Sequence, residues 1–260
     1  MKVWKKAITL IMALGMTVGF ASCGSKNGDS DADENSSLGD SVKGQEVATQ
    51  ENWNAAWEAM LAASNFTVDY VMTAEESHKE YGYERVKYEG CIKVADGKRW
   101  EKSMRTEEEN WVDEEKFTET EEREEYWGVI DGVSYRWIYQ ERSWEQASVS
   151  EGFATVERVI FDTIPMIIDY EENEYEELYE LCTFDSSKGA YVFSWEDEYA
   201  ATKIGAVEFK FENDKLASFK VTRTIEDNDG FVEEELAEFL ISYGNAAIGA
   251  LPGQEGFEAK

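Results

Sequence analysis

The sequence predicts an α+β domain, a large curved antiparallel sheet with helices on one face. Three observations carry this prediction. Runs in which apolar and polar residues alternate are separated by Asp96-Gly97, Asp131-Gly132 and Asn213-Asp214, pairs that tolerate the positive φ of tight hairpin turns. An amphipathic helical stripe precedes the first of these runs. Further helical patterns fall between two blocks of strands instead of alternating with them, so the strands pair antiparallel and the helices are left to cover a face.

At the N-terminus Lys2, Lys5 and Lys6 form a basic start, Ala7 to Phe20 an apolar core, and Ala21-Ser22 the small pair of a cleavage site directly before Cys23. The order resembles the bacterial lipoprotein signal. That resemblance implies loss of residues 1–22 and a diacylglyceryl anchor on Cys23, which places the protein outside the cytoplasmic membrane as a lipoprotein of the cell envelope. Two acyl chains anchor stably where one is marginal. Residues 24–49 are rich in Gly, Ser, Asp, Asn and Glu without apolar periodicity, a flexible acidic tether spanning roughly 30 Å as a coil. Asp29, Asp31 and Asp33 in it do not make a calcium loop, because Glu34 stands where that loop needs glycine and no helix flanks it.

The folded domain is expected over 50–252, with 253–260 as a tail. Thr49 caps a helix whose Trp53, Ala56, Trp57, Met60 and Leu61 form one stripe. Phe66, Val68, Tyr70 and Met72 mark one face of the first strand, and Val86, Tyr88, Gly90, Ile92 and Val94 one face of the next. A three-residue turn at Asp96-Gly97 would keep Arg99 off that apolar face and place Trp100 and Met104 on it. Glu107 to Glu125, the densest acid of the chain, reads as a solvated or edge strand kept from pairing by its own charge. Ser148 and Glu151 form a capping box for a helix bearing Phe153, Val156, Ile160 and Ile164, which Pro165 kinks or restarts. Glu171 to Cys182 follows as an acidic helix with Tyr175, Leu178, Tyr179 and Cys182 on one stripe. Strands return at Tyr191–Trp195, Val207–Glu212, Leu216–Ile225 and Phe231–Tyr243.

The hairpin of Tyr126 to Trp144 is the organising element. Counting back from Asp131-Gly132 pairs Ile130 with Val133, Gly128 with Tyr135 and Tyr126 with Trp137, which gathers the aromatic and aliphatic residues on one face. The other face carries Trp127, Val129, Ser134, Arg136 and Ile138, so the first is the expected buried or ligand-facing surface. Tyr126, Tyr135, Trp137 and Tyr139, set against Phe153 and Ile160 of the following helix, are the candidate ligand-binding residues.

Composition excludes several function classes. With 56 acidic against 25 basic residues the net charge is −31, and without the three lysines of the leader it is −34. No basic stripe is present to neutralise phosphates, so nucleic acid is not a partner. His78, the only histidine, sits in a polar stretch and reads as a solvated loop residue. Cys91, Cys182 and His78 lack metal-ligand spacing, no phosphate loop or nucleophile elbow occurs, and no carboxylate pair stands out, so neither enzyme activity, metal nor cofactor is expected. Cys91 falls on a polar strand face and Cys182 on an apolar stripe, so no disulfide joins them.

The order of elements resembles the LolA/LppX superfamily of lipoprotein-associated carriers and sensors. The residues that carry the likeness are Gly90-Cys91-Ile92-Lys93-Val94 with Asp96-Gly97-Lys98-Arg99, Ile130-Asp131-Gly132 with Tyr135 and Trp144, and Ile241 to Asn245 with Pro252. The resemblance implies a curved half-barrel with helices covering its concave face, and binding of a hydrophobic or lipid ligand or of an envelope partner. It brings no catalytic residues. Two readings stay open: a binding lipoprotein with an apolar cavity between sheet and helices, and a sensor or interaction lipoprotein with a packed core and an acidic surface.

Overall fold

The computed structural model describes residues 38–47, 49–130, 133–138, 143–146, 179–196 and 202–249. Helix α1 (Gln50–Leu61) starts where the sequence places it: Thr49 is extended, and its hydroxyl accepts a hydrogen bond from the Asn52 amide. The cap satisfies one of the free N–H groups at the helix start, worth about 1 kcal/mol. The stripe of Trp53, Ala56, Trp57 and Met60 is buried.

Among the described residues eleven strands form one sheet. They are β1 (Phe66–His78), β2 (Gly82–Ala95), β3 (Lys98–Trp111), β4 (Phe117–Ile130), β5 (Val133–Ile138), β6 (Ser143–Gln146), β7 (Thr183–Asp185), β8 (Ala190–Glu196), β9 (Thr202–Glu212), β10 (Lys215–Glu226) and β11 (Phe231–Tyr243). Their order, β6-β5-β4-β3-β2-β1-β11-β10-β9-β8-β7, makes two meanders that meet where the first and last strands pair. The sheet is open, with β6 and β7 at opposite edges. Helix α1 lies on it; of the expected helix of Glu171 to Cys182 residues 179–181 are described and are helical, with the Tyr179 ring 5.7 Å from Trp53, and the candidate helix of Phe153 to Ile168 falls outside the described residues.

Register assigns the faces. On the inner face Phe66, Val68 and Tyr70 align with Val94, Ile92, Phe239 and Ile241, and onward with Phe219, Phe209 and Tyr191. These rings close around α1: Trp53 stands 4.8 Å from Phe211 and 5.0 Å from Tyr191, and Trp57 5.6 Å from Phe209. The long central strands outrun this core. Beyond Tyr70, the residues of β1 from Met72 to Ser77 are half-buried.

Three expectations are corrected. Asp96 and Gly97 both have positive φ, 53° and 68°, and Ala95 pairs with Lys98, so the turn has two residues, not three. This puts Arg99 opposite Val94 on the inner face and sends Trp100 and Met104 outward. The arginine is tolerated there because Glu101, two residues on and on the same face, accepts from its guanidinium. The acidic run is not an edge. It folds into β3 and β4, both interior strands, and Arg85, Arg105, Arg123, Arg136 and Lys102 offset its charge. His78 is not a solvated loop residue. It ends β1, is buried, stacks 4.4 Å from Tyr81 and 4.7 Å from Phe231, and ties two hairpin ends together. Its Nδ1 accepts from the Glu80 amide and its Nε2 donates to the Asp229 carbonyl, the neutral tautomer those partners select.

Part of the expected tether is bound to the sheet. From Leu38 to Val47 a strap crosses the outer face: Leu38 and Gly39 donate their amides to Glu238, and the Gln45 amide donates to the Phe211 carbonyl. Val47 and the Tyr191 hydroxyl exchange two hydrogen bonds, after which the chain enters α1. Gly44 is required by contact, since a Cβ there would stand 1.6 Å from the Gly189 carbonyl oxygen.

Candidate functional site

The hairpin register is as counted: Ile130 opposes Val133, Gly128 opposes Tyr135, and Tyr126 opposes Trp137. With the two-residue turn at Asp96-Gly97, the row extends. Lys93, Trp100, Tyr126, Trp137 and Trp144 are successive cross-strand partners over β2 to β6. Adjacent strands lie ~4.8 Å apart, so from Trp100 to Trp144 the row is about 14 Å long. Trp100, Tyr126 and Trp137 are half-buried. All five positions lie on the outer face, away from α1.

Polar edges hold the rings in place. Glu124, two residues before Tyr126 on the same face, accepts from Trp100 Nε1 at 2.8 Å and from the Tyr126 hydroxyl at 2.7 Å. Burial and this carboxylate push the Tyr126 phenol up to about 12, so it stays a donor at any physiological pH. The Lys93 ammonium lies 5.1 Å from the Trp100 ring, a cation–π contact at one end of the row. Beside the row, Gly128 carries no side chain between Lys98 and Tyr135.

Behind the row, on the inner face, is a buried charge cluster. Trp127 is 5% exposed, with the Arg99 guanidinium 4.8 Å and that of Arg136 5.8 Å from its ring. Thus the more deeply buried tryptophan of the hairpin is on the face expected to be the more exposed one, because two arginines cover it. Arg136 grips both oxygens of Glu125 at 2.6 and 3.0 Å. Arg99 places two N–H groups on one oxygen of Glu101, at 2.6 and 2.9 Å, and leaves Oε1 without a partner. Glu101 is fully buried, and that burial pushes its pKa to about 8 despite Arg99. This cluster is rigid and polar, a backing for the outer row and a poor lining for an apolar cavity.

Of the six residues proposed from sequence, Tyr126, Tyr135 and Trp137 are brought together on the outer face, while Tyr139, Phe153 and Ile160 lie outside the described residues. Sequence reasoning missed Trp100 and Glu124; the two-residue reading of Asp96-Gly97 would have found the first. Cys91 and Cys182 are not joined in a disulfide, as their facing required. Cys182 is half-buried against the core, and that burial pushes its thiol up to about 12. Three acids, Glu84, Glu107 and Glu109, lie close enough to share a cation, but Glu107 is already paired with Arg105.

No family model matches the chain, and no curated protein matches it. Seven chains of solved structures do. One is lipovitellin, from a structure of lipid–protein interactions, 10% identical with a TM-score of 0.26 over 75% of this chain and 27% of that one. Another is the S-type phycobiliprotein lyase CPES from Guillardia theta, 6% identical with a TM-score of 0.22 over 75% of this chain and 98% of that one. This chain therefore spans about a quarter of lipovitellin. At these TM-scores neither likeness carries an argument about function, and what the chain binds is read from the row itself.

Proposed function

We propose that the protein is a non-catalytic, lipid-anchored lipoprotein of the cell envelope, held outside the cytoplasmic membrane through Cys23, that binds a hydrophobic or lipid ligand on the outer aromatic row. One observation carries this reading: Trp100, Tyr126 and Trp137 are direct cross-strand neighbours, half-exposed, the first two held by Glu124, on a face the core does not use. An acyl chain laid along the rings gains roughly 25 cal/mol per Å² of apolar surface removed from water. Lys93 at one end offers an anionic head a partner. The finer fold reading that goes with it is a LolA/LppX-like half-barrel with helices over a concave face.

A second reading, an interaction lipoprotein that meets a cationic envelope protein, is supported by the net charge of −31 and by a core whose Trp53, Trp57, Phe66, Phe219 and Phe239 are all fully buried. Fluorescence titration of the full-length protein with fatty acids and phospholipids separates the two. The ligand reading expects a saturable change in tryptophan emission that Trp137→Phe weakens severalfold. If nothing saturates and the variant loses only stability, the protein-partner reading takes its place. For the anchor, Cys23→Ala is expected to move the protein from the membrane to the soluble fraction, and a variant still membrane-bound and processed would remove it.

A further inference from the structure

A second site lies on the outer face under the strap, at the other meander. There a cleft of about 500 Å³ is lined by Lys188, Lys210, Lys220, Ser218, Glu208 and Glu238 among others. Three lysines and two glutamates contribute to its lining, so the local charge is positive in a chain that has 56 acids and 25 bases. Both carboxylates are already engaged. Glu238 accepts the Leu38 and Gly39 amides, each at 3.0 Å, and Glu208 pairs with the Lys188 ammonium. Lys210 donates to the Gly39 carbonyl at 2.9 Å, which uses one of its three N–H groups. Lys220 lies in register between Glu208 and Glu238, is half-buried, and its ammonium has no hydrogen bond or ion pair among the described residues.

Alternating Lys and Glu on a solvated sheet face are ordinarily explained as cross-strand pairs. That explanation places Lys220 opposite Glu208 and Glu238, but Glu208 is taken by Lys188 of the β7–β8 turn and Glu238 by the strap amides. It leaves Lys210 and Lys220 with unused donors at a cavity, and an ammonium with unused donors in a partly dehydrated cleft favours an anion.

We propose that this cleft binds a phosphate group, either on a soluble molecule or on a lipid headgroup. A phosphate presents three terminal oxygens, one for each lysine, and the Ser218 hydroxyl adds a further donor. A carboxylate has two oxygens and leaves one ammonium unmatched. The strap closes one side, because the amides of Leu38 and Gly39 hold Glu238 out of competition for the lysines. The proposal is independent of the aromatic row, which lies on the other meander.

Calorimetric titration of the full-length protein with inorganic phosphate at constant ionic strength tests it. Saturable binding is expected, weakened about tenfold or more by Lys220→Gln and less than threefold by Lys220→Arg, since a charged hydrogen bond is lost only in the first. Binding to vesicles of phosphatidylcholine with or without phosphatidic acid identifies the source. A preference for phosphatidic acid that Lys220→Gln abolishes means a headgroup, and phosphate binding without that preference means a soluble ligand. Succinate bound as tightly as phosphate would overturn the phosphate assignment. A linear response, equal in wild type and Lys220→Gln, would overturn the site.

Discussion

At Glu101 the sheet buries a carboxylate completely and gives only one of its oxygens a partner. Arg99 pulls its pKa down, while burial and Glu125 directly opposite raise it, with Arg136 and Tyr70 the other charged or titratable groups facing the pair; burial wins and the value reaches about 8. An acid whose folded pKa lies above its unfolded value adds stability that is full below the unfolded pKa, near 4.5 here, and is lost as pH rises through the folded one. Glutamine mimics the protonated acid. Glu101→Gln should therefore match wild type near pH 5 and exceed it by on the order of 3 kcal/mol at pH 9 in urea denaturation. An unchanged pH slope in the variant would mean that Glu101 is ionised in the fold at neutral pH.

Among the elements, stability should be uneven. Helix α1 covers the end of the sheet at Phe66 to Tyr70 and Phe239 to Ile241, whereas Ala74 to Ser77 and Val232 to Glu234 lie in the part that outruns the core. Backbone hydrogen bonds in a half-solvated extension open without global unfolding. Amide exchange at Glu75 and Glu233 should thus proceed through openings several kcal/mol cheaper than those at Val68 and Phe239, and Trp57→Ala, which truncates a fully buried ring, should cost about 3–5 kcal/mol and lower only the second set. Uniform protection along β1 would contradict this division. The elements themselves were largely legible, because Thr49, the α1 stripe, Asp131-Gly132 and Asn213-Asp214 each signal locally what the fold uses. Asp96-Gly97 gave the same local signal. It was overridden by the expectation that an arginine avoids an apolar face, and the answer to that objection, Glu101 at the same-face position, is a pairwise fact that alternation alone does not weigh. The strap was illegible for a different reason: its Gly- and Asp-containing sequence resembles a tether, and its acceptor, Glu238, lies two hundred residues away.

For the whole molecule, the two meanders divide the work. The one from β1 to β6 presents aromatic residues outward and buries charge behind them, and the one from β7 to β11 supplies most of the rings that pack on α1 and carries the strap across its outer face. Pairing of β1 with β11 joins them into one sheet, so the packed core supports the proposed binding row at a distance from it. With a net charge of −31 the surface repels anions in general, and an anionic head on the proposed ligand of the row would meet Lys93 as the cation beside Trp100. Native mass spectrometry of the full-length protein extracted from cells tests for that ligand directly. Wild type should carry copurifying lipid-sized adducts that a Tyr126→Ala, Trp137→Ala double variant loses while it keeps its native charge-state distribution. A folded wild type that carries no adduct, or a double variant that keeps the adduct in full, would contradict binding at the row.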